Sequence, residues 1–352
     1  MTTTVLANPT TRTVCPEDYS PCACDLTGNG LEITCIDVTI PDIVDVFFRT
    51  QNLFLYSVSL TIISATGSID LPADLLSDKR AQNIYLNCPA AASPKLSVTI
   101  DAASFEFTRF NTTRFEIHDC DLIRQKDMKF LSGFLVLNSF YFANTFNVEA
   151  IAGLANNTLP ALKELTVVNC TGLENVVFPD LTPARLELLR LDGNGLTDAG
   201  VNHILVAVAS SSSASSLKLL SLSNNAMTKI PMIASFSPTG HLRTLQQHRP
   251  LHEPIDFDLQ LSGNYRYAQV NLENNRLTEF KEDIFKSMLQ QMTIQSPAIG
   301  GHVLVTGNPF DCGCGLAWLI RDNQVLLPSV KNGVCGGFFR FEDLNPDAYG
   351  NC

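Results

Sequence analysis

The sequence predicts an α/β solenoid, a stack of coils with a curved parallel sheet on its inner face and a disulfide cap at each end. Three observations carry that expectation: a leucine-led motif with its polar residue at a fixed offset, cysteines crowded toward both termini, and a composition suited to a packed chain. A length of 352 residues would ordinarily suggest two or three domains. Stacked repeats escape that rule, because each coil packs only against its neighbours.

The best copies of the motif are Leu186-x-x-Leu189-x-Leu191-x-x-Asn194-x-Leu196 and Leu217-x-x-Leu220-x-Leu222-x-x-Asn225-x-Met227. Val270-x-Leu272-x-x-Asn275-x-Leu277 follows the same rule. Cysteine takes the asparagine slot in Leu162-x-x-Leu165-x-Val167-x-x-Cys170 and in Phe115-x-Ile117-x-x-Cys120-x-Leu122. The paired apolar residues alternate with outward ones, so a short strand buries one face and exposes the other. The Asn turns inward where the chain leaves the strand, and its amide can satisfy buried backbone groups of adjoining coils. This is the leucine-rich-repeat pattern.

Weaker copies extend the array. They place strands at Leu31-x-Ile33, Leu53-x-Leu55, Ile84-x-Leu86, Leu135-x-Leu137, near Leu245 and at Val303-x-Val305, with steps of 20 to 33 residues. Leu259-x-Leu261-x-x-Asn264 lies too close to Val270 for a further coil, so Asp258–Val270 is expected to form a hairpin around Ser262-Gly263-Asn264. On the outer arc a helical segment is expected to start at Leu196 and run through Ala209, with Asp198 near its positive end, then a surface turn over Ser210–Ser216, with short extended pieces in Lys95–Phe107. The expected organisation is a disordered segment over 1–14, an amino-terminal cap over 15–35, about ten coils over 36–307 and a carboxy-terminal cap over 308–352.

Eight of the eleven cysteines lie near the termini, four at each end. The Cys-x-Cys steps Cys22/Cys24 and Cys312/Cys314 are tighter than zinc-site spacing, which favours disulfides formed in an oxidising compartment. Cys88, Cys120 and Cys170 cannot all pair with one another, so one should be free or bonded to another chain. Cys88–Cys120 would join adjacent coils. Cys120 and Cys170 occupy the ladder slot and should be buried, whereas Cys88, one residue early, is expected to be exposed.

Cys15-x6-Cys22-x-Cys24-x10-Cys35 leads into the first coils, and Asn308-Pro309-Phe310-x-Cys312-x-Cys314 precedes Leu316, Trp318-Leu319, Cys335 and Cys352. These stretches resemble the cysteine caps of extracellular leucine-rich-repeat proteins, and the resemblance covers residues 15–352. It implies the pairs Cys15–Cys24, Cys22–Cys35, Cys312–Cys335 and Cys314–Cys352, with Trp318 plugging the last coil. The irregular repeats are similar to arthropod secreted members of the family, which include a non-catalytic subunit of a luciferase-type monooxygenase.

Charge and motifs narrow the function classes. Twenty-four basic against 35 acidic residues give a net charge of −11, and no basic cluster offers a phosphate-binding surface, so a nucleic-acid partner is not expected. No apolar run approaches 18 residues, and no tail suits a lipid anchor. The stretch 1–14 lacks the apolar core of a signal peptide, so the expectation of secretion rests on the cysteines, with a truncated chain or a lost leader. There is no G-x-S-x-G elbow, P-loop, G-x-G-x-x-G or H-E-x-x-H. His241, His248, His252 and Glu253 form one imidazole cluster, but Pro250 spoils a shared helical face, and they read as surface groups rather than metal ligands. No cofactor, metal or catalytic residue is expected.

What remains is protein recognition on the concave face. The outward strand positions expected to carry contact are Phe54, Tyr56, Tyr85, Glu116 and His118 in the first half. Arg190, Asp192, Asn271 and Glu273 continue them in the second. Phe54, Tyr56 and Tyr85 are expected to form one aromatic patch on adjacent coils. Asn111, Asn156 and Asn169 head N-x-Thr glycosylation motifs, and a glycan on Asn169 would shield the central concave surface.

Overall fold

The computed structural model describes residues 15–179, 181, 184–211, 213, 216–230, 265–294 and 300–352. An antiparallel hairpin of β1 (Ala23–Thr27) and β2 (Gly30–Val38) opens a 12-stranded sheet. Its remaining strands are β3 (Phe54–Ile62), β5 (Arg80–Asn87), β7 (Arg114–His118), β8 (Ser139–Ala143), β9 (Glu164–Val168), β10 (Leu188–Arg190), β11 (Leu219–Ser221), β12 (Gln269–Asn271), β13 (His302–Leu304) and β14 (Val330–Lys331). From β2 onward every pairing is parallel and follows chain order. Ile33, Val58, Ile84, Phe115, Phe140, Leu165, Leu189, Leu220, Val270 and Val303 stand in one inward register row. All ten are buried and make a continuous spine of the core. A parallel sheet with successive strands adjacent is what a one-strand-per-coil repeat must build.

Outer segments differ along the stack. Helix α1 (Ile40–Arg49) starts with Pro41 in its first turn and a capping box between Thr39 and Asp42. It buries Ile43, Val46 and Phe47, residues three and four apart. The next two coils carry a parallel pair, β4 (Ser68–Leu71) and β6 (Ser97–Ile100), within the region where extended pieces are expected. Farther on, α2 (Asp198–Ser210) and α3 (Glu282–Met292) cover the arc.

Inward side chains at the strand exits form a ladder. Asn194 Nδ2 donates to the Val167 carbonyl at 2.8 Å, and Asn225 Nδ2 to that of Leu191 at 2.9 Å. Asn275 and Asn308 repeat the contact to Leu222 and Leu272. Each amide oxygen accepts in turn: Asn225 Oδ1 takes the N–H groups of Asn194 and Leu196, both at 3.0 Å. Thr145 holds the same slot after β8 and donates to Ile117 O at 3.2 Å. One residue earlier the chain turns through left-handed backbone at Asp119, Asn144, Asn169, Gly193, Asn224, Asn274 and Gly307. Glycine and short Asx side chains tolerate that conformation best, which explains the residue types at the corner.

Five disulfides close the molecule. Cys15–Cys24, Cys22–Cys35, Cys312–Cys335 and Cys314–Cys352 hold the ends, the pairs that the cap resemblance implies. Cys88–Cys120 ties the exits of β5 and β7 together. Cys170 is a buried free thiol. Trp318 Nε1 donates to Phe280 O at 2.9 Å, and its ring stacks 6.0 Å from that of Phe280.

Several strand expectations need correction. The inward pair of β3 is Val58-x-Leu60, not Leu53-x-Leu55: nine residues offer several apolar pairs, and pairing with Ile33 and Ile84 decides between them. The strand expected at Leu135-x-Leu137 is β8, with Phe140 and Phe142 inward and Leu135 exposed. β11 pairs directly with β12, so no strand near Leu245 separates them, and aligned positions 24 to 33 residues apart elsewhere are 50 apart there. Leu245 itself, Asp258–Asn264 of the expected hairpin, the cluster His241, His248, His252 and Glu253, and residues 1–14 lie outside the described residues. Cys88 is buried rather than exposed, because its bond to Cys120 draws it inward. Ser213, expected on a surface turn, is buried and accepts from Leu186 N at 3.1 Å.

Candidate functional site

The concave face is built from the residues that alternate with the buried row. In register across it run Ser59, Tyr85, Glu116, Tyr141, Thr166, Arg190, Ser221 and Asn271. Neighbouring strands lie roughly 5 Å apart, so Tyr85 and Tyr141 flank Glu116 one strand to either side.

Glu116 is the hub of this face. It is only 6% exposed, yet both carboxylate oxygens are engaged: Arg114 Nε donates to Oε1, and His118 Nε2 to Oε2 at 2.6 Å. Because an ionised carboxylate only accepts, that geometry places the imidazole proton on Nε2. The His118 ring in turn stacks on Tyr141, with centroids 5.3 Å apart. Burial works to raise the Glu116 carboxyl, but the hydrogen bonds from His118 and Arg114 outweigh it and hold the group below its ordinary range. Tyr85 and Tyr141 are both pushed up, first by burial and then by the Glu116 charge. The result is a neutralised charged centre between two half-buried phenols, held by contacts within β7 and by the His118 stack on β8.

Farther along, polar groups are tied to one another. Asp192 Oδ1 accepts from Ser221 Oγ at 2.5 Å and Ser223 N at 2.9 Å, while its other oxygen faces Arg190 Nε at 3.5 Å. Asn271 Oδ1 accepts from Glu273 N at 3.0 Å, and Glu273 Oε1 from Thr306 Oγ1 at 2.6 Å. Arg190 is the exposed member of this group.

The expected three-ring patch does not form. Phe54 pairs in register with Arg80, whereas Ser59 stands beside Tyr85. Five residues of strand, about 16 Å, separate the two levels. Tyr56 lies nearer, half-buried with its Cβ against Gly30.

No protein-family model matches the chain. It is 22% identical over 360 aligned positions to the Oplophorus-luciferin 2-monooxygenase non-catalytic subunit of Oplophorus gracilirostris, covering 97% of this chain and 89% of that protein. Among solved structures, human trophoblast glycoprotein matches with a TM-score of 0.44 at 14% identity, over 95% of this chain and 99% of that one. A chain from the octameric complex of latrophilin 3, Unc5D and FLRT2 (LRR) matches with a TM-score of 0.32 at 15% identity, over 84% and 96%. One strand per coil, the amide ladder and the paired caps decide the architecture. The chain is a leucine-rich-repeat solenoid with disulfide caps.

Within this solenoid the residue that sequence reasoning missed is Tyr141. Its signal was present in Phe140-x-Phe142-x-x-Thr145, a copy of the motif with phenylalanine for leucine and threonine for asparagine. Of the three N-x-Thr motifs, Asn156 is exposed at the end of the convex 3-10 segment Val148–Asn156, and Asn111 is half-buried. Asn169 is a left-handed corner residue after β9, and its amide fills the space that a side chain on Gly193 would need. Among the described residues no group of three or more His, Cys, Asp or Glu is placed to hold a metal, and no helix is long and apolar enough to cross a membrane.

Proposed function

We propose that this chain is a secreted, non-enzymatic binding module that recognises a protein partner through its concave face, centred on Tyr85, Glu116 and Tyr141. The observation that carries this reading is the cluster itself. Its side chains are already ordered by the Arg114–Glu116–His118 network and the His118–Tyr141 stack, so a partner would meet a preorganised surface. Tyrosine and arginine are the residue types that dominate binding hot spots. Five disulfides favour an oxidising compartment. Glycans on Asn156, Asn111 and Asn169 belong to the same proposal.

A second reading makes the chain a non-catalytic, stabilising subunit of a secreted enzyme complex. It is favoured by the similarity to the Oplophorus subunit along almost the whole length of both chains. The two readings differ in the partner, so the experiment is purification of the native protein from its source, with co-eluting chains identified by mass spectrometry. A stoichiometric catalytic chain selects the second. Tyr85→Ala combined with Tyr141→Ala then tests the face. Each lost ring should weaken binding by about 1–2 kcal/mol. Unchanged affinity in a folded variant removes the concave cluster from the interface.

A further inference from the structure

We propose that the edge where strands begin, in the amino-terminal half, is a second protein-docking surface that takes an acidic segment of a partner carrying apolar side chains. Phe54 is the first residue of β3 and is 60% exposed. Arg80, its register partner and the first residue of β5, sets its guanidinium 5.4 Å from the centre of that ring. One coil on, Phe110 is 63% exposed, and the Arg109 guanidinium lies 5.8 Å from its centre. Arg109 in turn lies over Gly133, where an added Cβ would stand 2.7 Å from its Cδ. Exposed Leu135 follows, its amide bonded to Gly133 O at 2.8 Å.

These segments are neighbours by construction. Arg80 N donates to Leu53 O at 2.7 Å, Thr112 Oγ1 to Ala81 O at 2.8 Å and Asn138 N to Thr113 O at 2.8 Å. The stacking therefore places phenylalanine, arginine, phenylalanine, arginine and leucine along one edge. Contiguous apolar surface of this kind marks interaction sites, and an arginine held over an aromatic ring loses little freedom on binding.

Charge selects the occupant. Arg109 is paired with Glu106, whereas Arg80 is exposed and enters no ion pair with a carboxylate among the described residues. An unneutralised guanidinium on a molecule of net charge −11 offers a bidentate site for a carboxylate. One free cation beside the carboxylates of Glu106 and Asp78 is too few for a polyanion such as nucleic acid or a sulfated glycan. A protein segment with one or two acidic groups among apolar side chains fits better. The edge is distinct from the Tyr85 level of the concave face, so this proposal does not rest on the concave reading.

The test uses the full chain and a short fluorescent copolymer, with one or two glutamates among tyrosines, read by anisotropy. Heparin and phosphatidylserine vesicles serve as competing probes. The parent protein should bind the copolymer with an affinity that falls as salt rises. Phe54→Ala combined with Arg80→Glu should weaken it at least tenfold, and Tyr85→Ala combined with Tyr141→Ala should leave it unchanged. Arg80→Gln provides a second variant should Arg80→Glu fail to fold, and it should weaken binding about tenfold. Equal affinity of parent and folded edge variants would overturn the proposal, as would equal loss in the concave variant. So would preferred binding of heparin or vesicles, or an edge-dependent dimer in sedimentation, which would assign the surface to a second copy of the chain.

Discussion

The two halves of the solenoid satisfy the same buried backbone by different means. From β2 to β5 the concave strands are nine, nine and eight residues long, and the outer arc adds the β4–β6 pair. From β10 to β13 each strand has three residues, and the carbonyls beyond it are met by Asn225, Asn275 and Asn308. The first half thus relies on continued strand pairing and a Cys88–Cys120 crosslink, the second on side-chain amides. The difference teaches that the polar slot is a solution to short strands rather than a requirement of the coil. Where the strand runs on, backbone partners replace it.

The largest test of that contrast is Asn225→Ala. Asn225 gives hydrogen bonds to Leu191, Leu222 and Ser223 and receives them from Asn194 and Leu196. Leaving two buried N–H groups without partners should destabilise the protein by about 3–5 kcal/mol. Asn87→Ala in the first half removes contacts at 3.3 and 3.4 Å from a half-buried amide, at a cost of about 1 kcal/mol or less. Chemical denaturation of both variants compares them. Similar losses would mean that the ladder is not what distinguishes the second half.

A somewhat smaller effect is expected from Cys88→Ala combined with Cys120→Ala. The bond closes a separation of 32 residues, and loop-closure entropy gives it about 3.7 kcal/mol. Limited proteolysis should then cut first between β5 and β7 while the amide-laddered coils persist. Uniform cleavage along the chain would show that the halves do not differ in local stability.

What could be read in the sequence follows the same division. The laddered coils were legible because Leu189, Leu191 and Asn194, and their counterparts, each perform one fixed task at one fixed offset. β8 was misplaced because Phe140 and Thr145 perform those tasks with other side chains, and Tyr141 was lost with it. β3 was shifted because a nine-residue strand with Leu55, Val58, Leu60 and Ile62 buried has no unique reading until its neighbours fix the register. The same shift hid the pairing of Phe54 with Arg80. A contact between coils depends on two registers at once, and no local pattern encodes both. The direct pairing of Leu220 with Val270, which leaves no place between them for a strand near Leu245, is likewise a relation between distant segments that no local pattern encodes.

Cys170 stands where the two solutions meet, in the slot between Thr145 and Asn194, and it gives the smallest predicted effect. Its sulfur receives the Thr145 N–H and donates to Val168 O at 3.3 Å, so the thiol does part of the amide's work. Burial pushes the thiol up to about 11 despite the Thr145 bond, so at pH 8 only about one molecule in a thousand carries the thiolate. The native protein should therefore resist a thiol-disulfide reagent and show one reactive thiol on unfolding. Cys170→Asn should extend the ladder by one rung. Its oxygen would take the Thr145 N–H, as Asn194 takes that of Cys170 at 2.9 Å, and its nitrogen would reach back to β8 as Asn194 reaches Val167. Stability should stay within about 1 kcal/mol of the parent. Cys170→Leu fills the volume but leaves the Thr145 N–H unpaired, at a cost of about 2 kcal/mol. If the two variants denature together, the slot is selected by packing, and the hydrogen-bond account of the boundary is wrong.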